Sequence, residues 1–225
     1  MQGFLLALPV LLVSVVAHEY AHGYAALRQG DPTAAREGRL TFNPIKHIDP
    51  FMSILLPAML WYGSGGGFVF GGAKPVPVNP HNYRDFRRGD IIVSSAGVAA
   101  NVVLFLVFLA LSAAAGILGN MMPFAANGLV VIQRMCILGV WLNALLAYFN
   151  LIPIPPLDGS HILIHFLPQK VAAKYRELSR FGFLILLGLM IVFRDYFFLL
   201  LTPAVIATQF AVELIRPFLL DSAPF

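Results

Sequence analysis

GFLLALPVLLVSVVAHEYAH, residues 3–22, joins a long apolar run directly to a group of ionisable side chains. With its continuation to about Leu27, the run reaches the ~20 residues that an α-helix needs to cross a membrane. No basic segment precedes Gly3–Ala17 and no small-residue cleavage site ends it, so we expect a retained membrane helix rather than a signal peptide. His18, Glu19 and His22 are costly to place in lipid, which indicates a functional role.

The composition of the whole chain is that of a membrane protein. Of its 225 residues, 59% are hydrophobic and 12% are charged, with a mean hydropathy of +0.79, whereas a soluble domain carries about 25% charged residues. The net charge of +4 could suggest nucleic acid, but the basic residues stand in short loops between apolar runs, as membrane proteins place them. We therefore expect no nucleic-acid partner. The single cysteine, Cys136, excludes an internal disulfide.

Long apolar runs predict an all-α polytopic membrane protein. Five of them are about Gly3–Leu27, Ile91–Leu118, Leu129–Leu151, Phe181–Phe193 and Tyr196–Ile215. A sixth apolar run, Ile48–Tyr62, contains Pro50 and Pro57, so the expected total is five to six transmembrane helices. The fourth run is short for a crossing and would need to begin near Leu178.

Loop charges predict how these helices are oriented. The basic residues cluster after the first run, before the second, between the third and fourth, and after the last: Arg28, Arg36, Arg39 and Lys46; Lys74, Arg84, Arg87 and Arg88; Lys170, Lys174, Arg176 and Arg180; and Arg216. The positive-inside rule then gives a multi-pass protein of the cell (plasma or inner) membrane, with its N-terminus outside and its C-terminus in the cytoplasm. The ionisable end of the first helix lies toward the cytoplasmic side.

The segment around the sixth run needs a different path. Both flanks of Ile48–Tyr62 are basic, so both should face the cytoplasm. We therefore expect Ile48–Val78 to enter the membrane from the cytoplasmic side and return without crossing, buried in protein or lining a wet cavity. The alternative is an ordinary sixth span.

The ionisable group at the end of the first helix has the spacing of a metal site. His18 and His22 are four residues apart, which places both imidazoles on one helical face within reach of one ion. Glu19 can take a proton from a metal-bound water, as in the zincin arrangement. With 6 His and 4 Glu in 225 residues, the pattern would arise by chance about 0.003 times. The alternative is a polar cap where the helix meets the interface.

A catalytic zinc site needs a third protein ligand and an open position for water. The candidates near apolar runs are Asp49, Asp158, His161, His165, His47 and His81. Asp158 stands out because prolines break the chain between Asn150 and Gly159, and Gly159 permits conformations that other residues resist. The alternative for Asp158 is an N-cap of the following helix.

The remaining histidines are interpreted as structural. His161 and His165 repeat the four-residue spacing just after Asp158, and a second metal site is conceivable there. We expect no acid to accompany the pair, and histidine is common at wet helix ends, so we expect no ion. His47 and His81 are interpreted as interfacial on the same ground.

The two parts of the candidate site occur together in a known arrangement. His18-Glu19-Tyr20-Ala21-His22, combined with Asn150…Pro153…Pro155…Leu157-Asp158-Gly159, resembles the site-2 protease family of intramembrane metalloproteases, in its compact prokaryotic type without PDZ or CBS modules. The resemblance runs over about residues 10–165. Gly71–Asn79 resembles the family's re-entrant β segment, so a short β-hairpin is expected there. Ser95–Asn101 resembles the family's small-residue helix start.

This resemblance implies a zinc metalloendopeptidase that cuts peptide bonds in or near transmembrane segments of membrane proteins. One Zn²⁺ per chain would be held by His18, His22 and Asp158, with Glu19 as the base. Asn150 matches a family asparagine that could hold the substrate strand or the oxyanion; its alternative is a capping hydrogen bond.

The resemblance also bounds the domain and its partners. We expect one integral membrane protease domain over residues 1–225, with a catalytic core at about 1–165 and accessory helices at about 178–216. Its partners would be the lipid bilayer and a transmembrane protein or peptide substrate. The alternatives are an ion transporter and a membrane metal-binding protein without proteolytic activity.

Overall fold

The computed structural model of the protein describes residues 2–63 and 71–220. Of the described residues, 80% are helical and none forms a strand. The helices are α1 (Gln2–Gln29), α2 (Thr33–Arg36), α3 (Leu56–Gly63), α4 (Phe86–Met121), α5 (Ala126–Leu151), α6 (Asp158–Ile164), α7 (Gln169–Ser179), α8 (Gly182–Val192) and α9 (Arg194–Ile215). A π-helix, Pro50–Leu55, precedes α3, and 3-10 turns lie at Pro44–His47, Pro80–Asn82, Pro123–Ala125 and Arg216–Phe218.

Four helices in the described part of the chain are long and apolar enough to cross a membrane. These are Leu6–Gln29, Phe86–Met121, Pro123–Leu151 and Asp195–Phe218. The expected total of five to six is not confirmed, because the fourth apolar run forms only the short helix α8 and does not continue back to Leu178. A Cβ on Gly182 would lie 2.4 Å from the Pro155 carbonyl oxygen, so α8 begins in close contact with the loop before α6.

Hydrogen bonds between buried polar side chains link helices α1, α4 and α5. The Nδ2 of Asn101 donates to the Oδ1 of Asn143 at 2.9 Å, and the Nδ2 of Asn143 donates to the Oγ of Ser14 at 2.8 Å. All three side chains are fully buried. An unpaired polar group inside a membrane is costly, so this hydrogen-bonded series fixes how the three helices face one another.

The C-terminal helices pack onto the loop that leads into α6. One buried cluster combines Ile152 and Leu157 from that loop with Leu186 and Met190 of α8 and Phe197 of α9. Between membrane helices, such apolar side chains contribute through close van der Waals packing rather than through removal from water. The accessory helices therefore support the segment that carries Asp158.

The segment after residue 47 leaves the body of the protein and returns beside its starting point. The amide of Lys74 donates to the carbonyl of His47 at 2.8 Å, and the amide of Gly72 donates to the carbonyl of Met52 at 3.0 Å. Helix α3 has 8 residues, about 12 Å at 1.5 Å per residue, against a hydrocarbon core of about 30 Å. The expected β-hairpin is not confirmed: residues 71–79 contain no strand, and residues 64–70 lie outside the described part of the chain.

Candidate metal centre

Three side chains from distant parts of the chain converge at the end of α1. The Nε2 atoms of His18 and His22 are 3.0 Å apart. The Oδ2 of Asp158, the first residue of α6, lies 3.4 Å from the first of these atoms and 3.3 Å from the second. The three ligand atoms all lie within 4.8 Å of one another. Local helix geometry aligns the two histidines, and the packing of α6 brings in the carboxylate.

The other candidate ligands lie elsewhere. Asp49 accepts hydrogen bonds from the amides of Phe51 and Met52 at the start of the π-helix. His47 is buried with its Nε2 2.9 Å from the Thr41 carbonyl oxygen. His81 is exposed in the turn before α4.

Hydrogen bonds on the far side of each imidazole orient the metal-facing nitrogens. The Nδ1 of His22 lies 2.7 Å from the Val93 carbonyl oxygen, which can only accept, so this Nδ1 carries the proton. The Nδ1 of His18 lies 2.6 Å from the Oδ1 of Asn101. The amide orientation of Asn101 is fixed because its Nδ2 donates a hydrogen bond to Asn143. This Nδ1 is therefore also a donor. In the neutral form of each ring, the Nε2 therefore presents a lone pair to the site, as in metal-binding histidines.

The convergence of these atoms fits a zinc ion. Two ring nitrogens and a carboxylate oxygen face one another, and the Oδ2 of Asp158 is buried without a hydrogen-bond partner. Ligands placed tetrahedrally at ~2.0–2.1 Å from zinc are about 3.3 Å apart. The observed separations of 3.0, 3.4 and 3.3 Å agree with this spacing.

Two glycines make room for the centre. A Cβ on Gly97 of α4 would lie 2.4 Å from the Nε2 of His22, so this helix passes directly over the metal-facing atoms. A Cβ on Gly159 would lie 2.2 Å from the Leu151 carbonyl oxygen. The expectation that Gly159 supplies an unusual conformation is wrong, since among the described glycines those with positive φ are Gly30 and Gly38. Gly159 is required because α6 begins so close to the end of α5.

Glu19 is held by a backbone donor from the proline segment, Lys74–Val78. The amide of Val76 donates to the Oε2 of Glu19 at 2.7 Å. Pro75 and Pro77 have no amide hydrogen, so Val76 is the single backbone donor in this three-residue stretch. Its side chain is buried, and its Cγ1 lies 2.9 Å from where a Cβ on Gly23 would be. The segment is thereby packed along α1 beside Glu19.

Asp31 anchors the end of the proline segment, a role that the sequence analysis missed. Its buried carboxylate accepts hydrogen bonds from the Asn79 amide at 2.6 Å and the Asn82 Nδ2 at 2.8 Å, and from Thr33. Burial would raise the pKa of Asp31, but these hydrogen bonds outweigh it and hold the pKa below its usual value of 3.8. The only sequence signal was an aspartate followed by Pro32 and Thr33 just beyond a helix end.

Asn150 lies near the C-terminal end of α5 and bonds within its own helix. Its Nδ2 donates to the Leu146 carbonyl oxygen at 3.0 Å, and the side chain is half-buried. This back-bond is the kind of local hydrogen bond that asparagine makes in helices. A role for Asn150 toward substrate stays a prediction.

Curated proteins that are similar to this chain carry the name of zinc metalloproteases. The model of Peptidase family M50 matches residues 114–190. The chain is 39% identical to "Putative zinc metalloprotease YwhC" of Bacillus subtilis, over 80% of this chain and 78% of that protein. It is 33% identical to the similarly named Rip2 of Mycolicibacterium smegmatis, over 84% of this chain and 67% of that protein. No solved structure matches significantly. The chain therefore belongs to peptidase family M50, the site-2 protease family, and is a multi-pass intramembrane zinc metalloprotease.

Proposed function

We propose that His18, His22 and Asp158 hold one zinc ion per chain and that Glu19 is the base for peptide hydrolysis. The observation that carries this proposal is the set of three potential ligand atoms at 3.0–3.4 Å from one another, with the Oδ2 of Asp158 buried and without a hydrogen-bond partner. When bound, zinc acts as a Lewis acid that acidifies water and polarises a carbonyl group.

The residues of the chain perform the proton transfers. The Oε2 of Glu19 accepts the Val76 amide, so we assign its Oε1 to take the proton of the attacking water. Glu19 then donates that proton to the leaving amine. Asn101 and the Val93 carbonyl keep His18 and His22 in the tautomers that the metal requires. Asn150 is assigned to the substrate strand or the oxyanion.

The substrate is a transmembrane segment of another protein, in an extended form. The proline segment lies beside Glu19, and its prolines favour an extended backbone to which a peptide can align by main-chain hydrogen bonds. Relatives named as zinc metalloproteases do not favour the transporter alternative.

Zinc content and cleavage should separate the ligands from the base. We expect His18→Ala, His22→Ala and Asp158→Ala each to lower the zinc content of purified protein, measured by elemental analysis. Glu19→Gln should retain zinc and lose cleavage of reconstituted transmembrane peptides, because it removes the base and no ligand. Full zinc content in Asp158→Ala, or cleavage at the wild-type rate in Glu19→Gln, would contradict the assignment.

The same proposal includes the orientation of the chain in the membrane. We assign the N-terminus to the outside, the C-terminus to the cytoplasm and the centre to the cytoplasmic side, from the loop charges. Hydrogen bonds that join His47 and Met52 to Lys74 and Gly72 support a re-entrant path for the intervening residues. Exposed His81 replaced by cysteine in a Cys136→Ala background should react only with thiol reagents that reach the cytoplasmic face. Reaction with an impermeant reagent outside intact cells would exclude re-entry.

The packing of the C-terminal helices supports the proposed domain assignment. The buried cluster that joins residues 152–157 to α8 and α9 supports a single domain over residues 1–225, with the core at about 1–165 dependent on the helices at about 178–216. A chain ended after residue 165 should therefore lose stability in detergent relative to the full chain.

A further inference from the structure

The second histidine pair has an acidic partner that is distant in sequence. The Nε2 of His165 lies 2.7 Å from the Oδ2 of Asp90, and the Nδ1 of His161 lies 3.7 Å from the Oδ1 of the same residue. Asp90 is on α4, 75 residues before His165. The expectation that no acid accompanies this pair is therefore wrong, because the packing of α6 on α4 provides one.

The three side chains form the same donor set as the catalytic centre, two imidazoles and one carboxylate. His161 and His165 are one helical turn apart and face one aspartate from another helix. The side chains of Asp90 and His165 are 10% and 6% exposed, whereas that of His161 is 56% exposed. Two members of the set are thus fixed by packing, and the third can turn without disturbing the core.

The separations of the two histidines from Asp90 are near those of a metal site, but the three ligand atoms do not yet converge on one point. Tetrahedral zinc ligands are about 3.3 Å apart, and the separations of 2.7 and 3.7 Å from Asp90 lie on either side of this value. Among the described residues, the catalytic trio is the group whose three ligand atoms all lie within 4.8 Å of one another. A rotation of exposed His161 toward Asp90 would complete the second set. The cost of this adjustment implies weaker binding than at the catalytic centre.

We propose that Asp90, His161 and His165 form a second, weaker site for a divalent transition-metal ion such as Zn²⁺. Imidazole and carboxylate ligands suit zinc, and the remaining coordination positions would be filled by water. The ion would replace the proton between the Nε2 of His165 and Asp90. His161 follows Asp158 by three residues on α6, so occupancy of this site would join α6 to α4 directly beside the catalytic centre.

A zinc titration of the purified full-length protease tests the proposal. Zn²⁺ is added with a competing chelator that buffers free metal, and bound zinc is measured after separation of the free ion. We expect the wild type to bind a second, weaker equivalent. In His161→Gln the affinity for the second zinc equivalent should fall by more than about tenfold. Loss of a group that only hydrogen-bonds to a metal ligand already costs about tenfold or more in affinity, and His161 would be a ligand itself. His81→Gln, another exposed histidine, is the matched control and should bind like the wild type.

Two further variants separate this site from the catalytic one. His22→Ala should lose the tight equivalent and keep the weak one, whereas Asp90→Asn should do the reverse. If the buried Asp90 variant does not fold, the zinc titration of His161→Gln tests the proposal by itself. The His161 side chain is exposed, so its replacement leaves the contact between Asp90 and His165 intact. A single zinc equivalent in the wild type, or equal second affinities in the wild type and His161→Gln, would reduce the cluster to a hydrogen-bonded contact between helices and overturn the proposal.

Discussion

The two histidine pairs of this protein share one spacing but differ in what surrounds them. In the first pair, the Nδ1 of His18 bonds to Asn101 and the Nδ1 of His22 bonds to the Val93 carbonyl, so both Nε2 lone pairs point at Asp158. In the second pair, the Nε2 of His165 is itself hydrogen-bonded to Asp90, and His161 is exposed. Spacing brings imidazoles to one helical face, but buried hydrogen bonds behind the rings determine whether their lone pairs are ready for a metal.

The first pair also has space above it, and a backbone amide donates to Glu19, the proposed base. Gly97 keeps α4 free of a side chain over His18 and His22, and the Val76 amide holds Glu19. The pairs therefore differ by a series of separate contacts. Each contact can be removed in turn to test how much it contributes to the first centre.

The largest expected effect comes from closing the space above the first pair. Gly97→Ala would place a methyl group 2.4 Å from the Nε2 of His22, so the histidines or α4 must shift. Since a displacement of about 1 Å can cost about 100-fold in rate, we expect cleavage to fall at least that much, with loss of zinc. Gly128→Ala is the control, because nothing lies within 4 Å of a Cβ there. Equal zinc content and cleavage in the two variants would contradict the close approach.

The next effect comes from removing the hydrogen bond behind His18. Asn101→Leu leaves the Nδ1 of His18 without its acceptor, so we expect zinc affinity, measured by chelator competition, to fall by about 10–100-fold. Asn101→Asp keeps an acceptor oxygen and should retain more affinity than Asn101→Leu. If both variants bind zinc equally weakly, the side chain acts through packing and not through the tautomer of His18.

A smaller effect is expected from the backbone donor to Glu19. Val76→Pro removes the amide hydrogen, whereas Val76→Ala keeps it and shortens the buried side chain. Without this hydrogen bond the carboxylate of Glu19 is no longer held in position, so Val76→Pro should lower kcat by about tenfold or more with zinc retained. The measurement is kcat and KM on one reconstituted peptide. A larger kcat loss in Val76→Ala would assign the effect to side-chain packing.

The smallest effect concerns the anchor of the proline segment and depends on pH. The lowered pKa of Asp31 means that its carboxylate stabilises the folded protein above the unfolded pKa, and this contribution is lost as the pH falls below about 3.8 toward the native pKa. Asp31→Asn should therefore melt at a lower temperature than the wild type at pH 7, with a difference that narrows in acid. Thermal unfolding in detergent measures it. A difference in melting temperature that stays constant across pH would mean that the Asp31 side chain contributes by its packing and not by its charge.

Local sequence was sufficient for the parts of this protein that depend on helical periodicity. The apolar run before His18 predicted a membrane helix, and the four-residue spacing to His22 predicted imidazoles on one face, because both follow from residues that are neighbours along one helix. Asp158 could be nominated because prolines and Gly159 mark a break at a membrane edge. Its distance to the histidines could not be derived from that break.

The contacts between residues of different helices were determined by tertiary packing and could not be predicted from the sequence. Asp90 became the partner of His165, and Gly97 came to lie over His22, because α4 packs against both α6 and α1. The fourth apolar run became the short helix α8 because its start is packed against the loop before α6. A sequence states which residues are apolar or ionisable, whereas contacts across 75 residues of chain depend on how closely whole helices can approach one another.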